Sequence, residues 1–430
     1  MDRMRAIIFS VITVAAVVGA SISLNYVVLN NGTLGPAPIN NISTPPAQNE
    51  TSVSNQNDTF TVLPDPNPPT ILDAALKVEK VIEGLALPTS MEFVDHDDIL
   101  ILQKDNGIVR LVSNGVLQRD PIFEVSAERN NERGLLGVAV ANATDQDKTV
   151  FLYYTEQAGN EARNRVYRYD WDGTGAFTGR TLVLDLPGEP GPNHDGGKMT
   201  IGPDGLLYAV IGDLNRDGVL QNYRIGREPD DTSVILRVDR DGNPVNGSKY
   251  YAYGIRNSFG LDFDPVTGVL WDTENGSNVY DEINMVKPGF NSGWEQVMGP
   301  IDRSGIDPNN LVKLDESSHY EDPAFSWRDS RGVTDIEFLN SSKLGDKYAN
   351  NILVGDINNG NLYFFTINSD RTGLVLDGAL EDLVADSNSE LDAVIIGTDF
   401  GGITDIETGP DGYLYILTFD GNLYRIMPAS

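Results

Sequence analysis

Short strand pairs joined by Asp/Gly turns recur along this chain, and that repeat restricts its fold more than any other feature. The units run from Met91 to Val112, from Leu135 to Tyr154 with Val166 to Trp171, from Met199 to Asp213, from Leu261 to Trp271, from Ile336 to Ile367 and from Ile406 to Ile426. Each alternates apolar and polar residues with the period of a strand. Ile99-Leu100-Ile101-Leu102 followed by Gly107-Ile108-Val109-Arg110-Leu111 is one example. Past the first thirty residues no stretch sustains helical periodicity. Strand-turn-strand units at spacings of tens of residues read as blades, and six of them predict an all-β, six-bladed β-propeller. A β-sandwich is the alternative, but it does not need so many equivalent turns.

Residues 71–430 are assigned to this propeller, and two different segments precede it. Residues 1–30 carry Arg3 and Arg5 and then an uncharged apolar run from Ala6 to Leu29, the pattern of a membrane anchor or a signal peptide. Residues 31–70 are rich in Asn, Pro, Thr and Ser and hold sequons at Asn31, Asn41, Asn49 and Asn57, which predicts a disordered linker. The propeller is therefore expected outside the cytoplasm, anchored by its N-terminus or secreted. The chain has no cysteine, so disulfides contribute nothing, and its net charge of -32 opposes nucleic-acid binding while supplying carboxylates for calcium.

Propellers place ligands at one mouth of the central channel, where loops from several blades meet. His194 stands in Asn193-His194-Asp195-Gly196-Gly197, just before the Gly202-Pro203-Asp204-Gly205 turn and the apolar run Leu206 to Ile211. An imidazole on a loop beside a rigid sheet suits proton transfer. Three other loops combine glycine with polar groups: Asn131-Glu132-Arg133-Gly134, Tyr253-Gly254-Ile255-Arg256-Asn257, and Glu274-Asn275-Gly276-Ser277 leading to Asp281-Glu282. Arg256 suits stabilisation of an oxyanion, Asn257 a hydrogen bond to a planar cofactor or sugar, Glu132 a substrate hydroxyl, and the third loop offers hard oxygen ligands for calcium. Taken singly, each has a purely structural reading as a salt bridge, a turn or a solvated charge.

The segments GLLGVAV, NHDGGKMTIGPDGLLYAVIGD, YAYGIRNSFGLDFDP, ENGSNVYDEINMVKPGFNSGWE and DIETGPDGYLYILTFDGNLYRI together resemble the soluble glucose/sorbosone dehydrogenase family, the pyrroloquinoline quinone (PQQ)-dependent aldose dehydrogenases. The resemblance spans roughly Leu85 to Ile426. It implies oxidation of the anomeric carbon of an aldose to a lactone, with hydride passing to the quinone rather than to NAD and electrons leaving to an external acceptor. By position, His194 matches the general base and Arg256 the arginine beside the quinone oxygens. Asn257 matches a cofactor contact, and Glu132 stands where the family has a substrate-contacting glutamine. Gly276 and Ser277 match residues whose carbonyls hold calcium under the cofactor, with serine in place of the usual proline; Glu282 matches a carboxylate at a separate structural calcium.

The same alignment puts Asn358, Gly402 and Thr404 where the family meets the carboxylates of the quinone with a lysine and two arginines. Three positive charges are thereby lost, and Lys198 and Arg331 are the candidates to compensate. Two further functions stay open: a non-catalytic propeller binding carbohydrate or protein, and a calcium-dependent lactonase.

Overall fold

The computed structural model describes residues 68–144, 147–223 and 228–429. The expected anchor and nearly all of the linker lie outside the described residues. Six sheets built mainly from antiparallel pairs follow one another, as the repeat count predicts, and those of blades 3 and 4 each add one parallel pair. Their first strands are Pro88–Phe93, Leu135–Thr144, Met199–Ile201, Ser258–Phe263, Val333–Phe338 and Ile403–Thr408. Each touches the next, and the sixth touches the first, so these strands line a closed central channel. We number the blades 1 to 6 in that order.

The ring is closed by a strand that the repeat search leaves out. Leu76–Ile82 pairs antiparallel with Leu423–Pro428, so the start of the propeller supplies the outermost strand of blade 6. Closure by hydrogen bonding between the two ends of a ring leaves no open sheet edge at the seam. Thr70–Ile71 similarly adds an edge strand to blade 5, on Ile395–Thr398. Apolar side chains fill the spaces between neighbouring sheets. One cluster joins Val166 and Phe151 of blade 2 to Leu207 and Val234 of blade 3, and another joins Trp271 and Trp327 of blade 4 to Val354 and Phe365 of blade 5.

The channel itself is polar, for a repeated local reason. In blades 1, 2, 4, 5 and 6 the pairing register of the inner strand shifts near its start. Such irregularities re-aim side chains and bend the strand. Behind two of them sit the buried Asp335 in blade 5 and Asp405 in blade 6, and Lys198, just before the inner strand of blade 3, extends a nearly buried side chain towards both. The Lys198 ammonium lies 2.8 Å from both Asp335 Oδ2 and Asp405 Oδ1. Burial alone would lower its pKa, but Asp335, Asp405 and Glu407 together hold it well above the ordinary lysine value.

The penultimate residue of the inner strand is a carboxylate in four blades: Glu92, Asp262, Glu337 and Glu407. Burial pushes Glu92 up to about 8, with Asp405 and Asp262 adding to the rise and Lys198 opposing it. Burial likewise lifts Asp262 to about 6. In the unfolded chain these groups ionise near 4.5 and 3.8, so between the two sets of values the folded state holds protons that the unfolded state has released. Their stabilising contribution is complete below the unfolded values and is lost as pH rises through the folded ones. Thermal denaturation should therefore give a higher melting temperature at about pH 5.5 than at about pH 8.5. A melting temperature that climbs across that window would mean that the channel carboxylates are ionised and compensated.

Candidate functional site

Loops that enter the inner strands converge on the channel mouth opposite the four penultimate carboxylates. His194 belongs to the loop between the outer strand of blade 2 (Thr178–Pro187) and the inner strand of blade 3. Two glycines let this loop lie flat on blade 3. A Cβ on Gly196 would stand 2.5 Å from the Val210 carbonyl oxygen, and Gly196 has φ +66°. Across from it, a Cβ on Gly212 would meet the Arg256 and His194 carbonyl oxygens at 2.5 and 2.6 Å. His194 itself takes a left-handed φ of 65°, a conformation that costs a non-glycine residue energy and is found where surrounding contacts impose it.

Those contacts can be named. The His194 backbone N–H donates to Glu132 Oε2 at 2.5 Å, and the neighbouring Asp195 is turned the other way, its Oδ1 accepting from Asn164 Nδ2 at 2.8 Å. Burial pushes Asp195 up to about 6, with Asn164 opposing the rise and Glu132 adding to it. His194 Nδ1 lies 2.5 Å from Asp213 Oδ1, and Asp213 Oδ2 accepts from Trp294 Nε1 at 2.9 Å. On the other side of the ring, Arg256 Nη2 lies 3.0 Å from His194 Nε2. A guanidinium can only donate, so Nε2 must accept; the ring proton is then on Nδ1 and is given to Asp213. The residues thus fix the tautomer in which Nε2 has a free electron pair.

Arg256 links the blade 3 and blade 4 loops. Its Nη1 donates to the carbonyls of Asn275 and Gly276 at 2.8 and 2.9 Å, and its backbone N–H donates to Glu274 Oε1 at 2.6 Å. The guanidinium sits 5.4 Å from the centre of the Trp294 ring. It makes no ion pair with a carboxylate among the described residues, and its Nε is buried without a hydrogen-bond partner. Burial pulls its pKa below the ordinary arginine value, against the attraction of Asp213, Glu132 and Glu274. A half-buried cation held only by carbonyls, an imidazole and an aromatic face suits an anion or developing negative charge.

Asn257 is buried beside it. Its Nδ2 donates to Glu132 Oε2 at 3.3 Å, while its Oδ1 is buried and unpartnered. Glu132 therefore spans two loops through one oxygen, to the His194 backbone and to the Asn257 amide. These unpartnered atoms beside Arg256 suit a planar ligand with hydrogen-bonding edges.

The expected calcium residues divide. Gly276 is forced by its turn, where a Cβ would stand 2.0 Å from the Val279 carbonyl oxygen. Its own carbonyl is taken by Arg256. Ser277 is exposed. Asp281 holds the loop by accepting from the Gly276, Arg331 and Gly332 backbone N–H groups. Glu282 lies deeper, with Gly299 N–H 2.5 Å from its Oε1. Glu282 and Asn284 face Glu274 and Asp272 across adjacent strands of blade 4. Asp272 is fully buried and neither of its carboxyl oxygens has a partner. Burial pushes Asp272 and Glu282 well above the ordinary carboxyl range, and Glu274 adds to both. Among the described residues no three carboxylates or imidazoles already close on one metal-sized point. A calcium ion at Glu282 would take its remaining ligands from carbonyls and water.

On blades 5 and 6 the same mouth lacks cations where the alignment expects them. Asn358 packs against Gly332, Gly402 against Ile357, and the Thr404 hydroxyl donates to the Leu417 carbonyl. Lys198 is committed to Asp335 and Asp405 inside the channel. Arg331 precedes the inner strand of blade 5 and reaches the Asn388 side chain, with its Nε buried and unpartnered.

Asp213, Trp294 and Asp272 are the members of this site and its support to which motif reading gives no role. Asp213 stands at the end of the quoted GLLYAVIGD run, and Asp272-Thr-Glu274 shows two acids on one face of an otherwise apolar strand. Both signals were present, but only the fold shows what they face.

The profile of the family described as Glucose / Sorbosone dehydrogenase matches residues 85–425. The aldose sugar dehydrogenase YliI of Escherichia coli K12 is 27% identical over 83% of this chain and 94% of its own length. Quinoprotein glucose dehydrogenase B of Acinetobacter calcoaceticus is 26% identical over 52% of this chain and 53% of its own. Among solved structures, the soluble aldose sugar dehydrogenase of E. coli in its apo form superimposes with a TM-score of 0.65 at 24% identity, covering 82% of this chain and 99% of that one. The PQQ-bound aldose sugar dehydrogenase of Streptomyces coelicolor gives 0.63 at 22% identity, covering 84% and 99%. At those identities the superpositions establish the propeller fold, and with the profile match across the whole of it, the chain belongs to the glucose/sorbosone dehydrogenase family.

Proposed function

We propose that this protein is an exported, quinone-dependent aldose dehydrogenase that oxidises the anomeric carbon of a sugar to a lactone. The observation that carries the reading is the His194–Arg256 pair: an imidazole whose Nδ1 faces Asp213 and whose Nε2 accepts from a half-buried guanidinium that has no carboxylate partner among the described residues. A dehydrogenation of this type needs a base for the hydroxyl proton and a positive group for the charge that arrives with the hydride. The names and family of the relatives support the same substrate class.

The residues would act as follows. A bound orthoquinone supplies the hydride acceptor. Arg256 and Asn257 would hold its polar edge. The anomeric hydroxyl of the sugar replaces Arg256 as the partner of His194 Nε2 and gives up its proton there, as hydride departs from the same carbon. The imidazolium that results is stabilised by Asp213, which is itself oriented by Trp294. Arg256, freed from the imidazole, keeps its two carbonyl contacts and faces the developing negative charge. Glu132 keeps His194 and Asn257 in register and presents its second oxygen to sugar hydroxyls. Electrons then leave to an external acceptor.

A second reading rests on Asn358, Gly402 and Thr404. With no cation at those positions a multiply anionic cofactor would be held mainly from one side, which favours a propeller that binds carbohydrate or protein without turnover. Titration of the full-length protein with PQQ and calcium, followed by dye reduction with a panel of aldoses, separates the two. The dehydrogenase reading expects saturable binding and turnover, and His194→Asn should retain the cofactor while kcat falls by about 10²- to 10⁴-fold. Unchanged turnover in that variant would remove His194 as the base, and no binding at micromolar cofactor would select the second reading.

The tautomer can be tested without any cofactor. The chain has three histidines, so ¹⁵N spectra of the imidazoles are simple to assign. His194 should carry its proton on Nδ1 at alkaline pH and lose that preference in Asp213→Ala; a native Nε2–H form would contradict the hydrogen-bond assignment.

Calcium is proposed at Glu282, with Asp272 beside it. An ion that binds only the folded state raises the melting temperature by mass action. Adding calcium should therefore stabilise the protein. Asp272→Asn should raise the melting temperature of the metal-free protein, by removing a buried carboxyl that the fold must keep protonated, and shrink the calcium-induced shift. An equal calcium shift in both proteins would place the ion elsewhere.

A further inference from the structure

Four Asn-x-Ser/Thr sequons lie inside the propeller, at Asn142, Asn246, Asn275 and Asn340, besides those that precede it. A glycan is bulky and hydrated, so a folded chain can carry one only on an asparagine whose amide opens to solvent. The fold sorts the four by that criterion.

Asn275 is closed. It is 8% exposed, its Nδ2 donates to the Val333 carbonyl at 2.8 Å, and its own carbonyl accepts from Arg256. The next residue has no room even for a methyl group, since a Cβ on Gly276 would stand 2.0 Å from the Val279 carbonyl oxygen. A glycan on Asn275 would displace the loop that holds Arg256. Asn142 lies in the inner strand of blade 2, paired with Lys148 of the next strand, so its backbone is held in a ladder.

Asn246 is open. With Gly247 it forms the two-residue loop of a hairpin closed by the bridge between Val245 and Ser248. Both residues take left-handed φ, 55° and 85°, as that loop requires. Asn246, Gly247 and Ser248 are all exposed, and a Cβ on Gly247 would meet no heavy atom within 4 Å among the described residues. The tip projects into free space, and the Asn246 amide makes no hydrogen bond among the described residues. Asn340 follows the inner strand of blade 5. The chain beside it is fixed, because the Leu339 carbonyl accepts the Ser341 and Asn350 N–H groups, each at 2.8 Å. Asn340 and Ser342 are nevertheless exposed, and the Asn340 amide is likewise without a hydrogen bond among the described residues.

These two sites share a face. Val238 pairs with Leu207, which pairs with Ile201 at the end of the inner strand of blade 3. The hairpin that follows Val238 therefore emerges at the end of the blade remote from His194, as does the segment after Phe338. Oligosaccharides there leave the His194 mouth clear.

We propose that Asn246 and Asn340 carry N-linked oligosaccharides, which makes the face away from His194 a glycosylated surface. The proposal rests on the export in the reading above, because the donor is an oligosaccharide activated as a phosphate ester of a membrane lipid and presented outside the cytoplasm. In each transfer a bond forms between the asparagine Nδ2 and C1 of the oligosaccharide. The bond from C1 to the phosphate oxygen breaks, its electron pair leaves with the lipid phosphate, and the amide proton passes to a base of the transferase.

Mass spectrometry of glycopeptides from the full-length protein, purified from the cells that produce it, reads the sites directly. Asn246 and Asn340 should be modified and Asn275 bare. Ser248→Ala and Ser342→Ala, made in the same cells, should each remove one oligosaccharide while keeping the asparagine, and Ser248→Thr should retain it. Aldose-dependent dye reduction should be unchanged in all three, since none of these residues approaches His194. Bare Asn246 and Asn340 in protein recovered outside the cytoplasm would overturn the proposal and leave export standing. Bare sites in protein recovered from the cytoplasmic fraction would overturn both. A glycan on Asn275 would overturn the selection of sites by exposure.

Discussion

A single buried ammonium joins the blades at the axis of this propeller. Lys198 comes from blade 3, Asp335 from blade 5 and Asp405 from blade 6, and Asp405 also accepts the Met91 N–H of blade 1 at 2.6 Å. Four of the six inner strands therefore meet through one network. Removing one member of a buried pair leaves a desolvated charge, at a cost of about 3–5 kcal/mol. Here the loss of Lys198 would leave two carboxylates facing each other. The network also fixes function at a distance of four residues, because the segment that ends at Lys198 begins at His194. Gly197 donates its N–H to Val210 and Lys198 accepts the Val210 N–H, so the loop between His194 and the ammonium is pinned to blade 3. The closure of the ring and the position of His194 are set together.

Much of this could be read from the sequence, because the information was local. Turn residues and period-two alternation belong to single segments, and they gave the six blades. Glu132, His194, Arg256 and Asn257 lie in loops whose glycines mark close backbone approach, and the loops enter consecutive inner strands. What escaped depends on distant pairs. Leu76–Ile82 looks like any amphipathic strand until it meets Leu423–Pro428 at the other end of the chain. Trp294 reaches Asp213 across 81 positions. The four-carboxylate ring is visible as Met91-Glu92-Phe93, Leu261-Asp262-Phe263, Ile336-Glu337-Phe338 and Ile406-Glu407-Thr408, yet alternation alone assigns such acids to a solvated face. Only the closure of the strands into a ring turns that face inward. Lys198 was a candidate to replace the missing cations, and the structure withdraws it, since its charge is already spent on Asp335 and Asp405.

The two mouths are opposite in what they lack. Near His194 a half-buried arginine has no carboxylate partner among the described residues; at the far end four carboxylates stand at equivalent positions with Lys198 nearby. A chain of net charge -32 repels anions over its whole surface, so an anionic cofactor gains little from long-range attraction and must be held by local contacts. Three charge-assisted hydrogen bonds from cations at positions 358, 402 and 404 would contribute about 1.5–3 kcal/mol each, and Asn358, Gly402 and Thr404 cannot supply them. The compensation has to come from depth. A contact made against Arg256 beneath Trp294 is screened less by water than one at an exposed rim, and the same charge acts there through a lower effective dielectric. In the proposed reaction such a contact would also leave Arg256 where charge develops. On the proposed reading, Arg256 would carry both the binding and the electrostatic stabilisation.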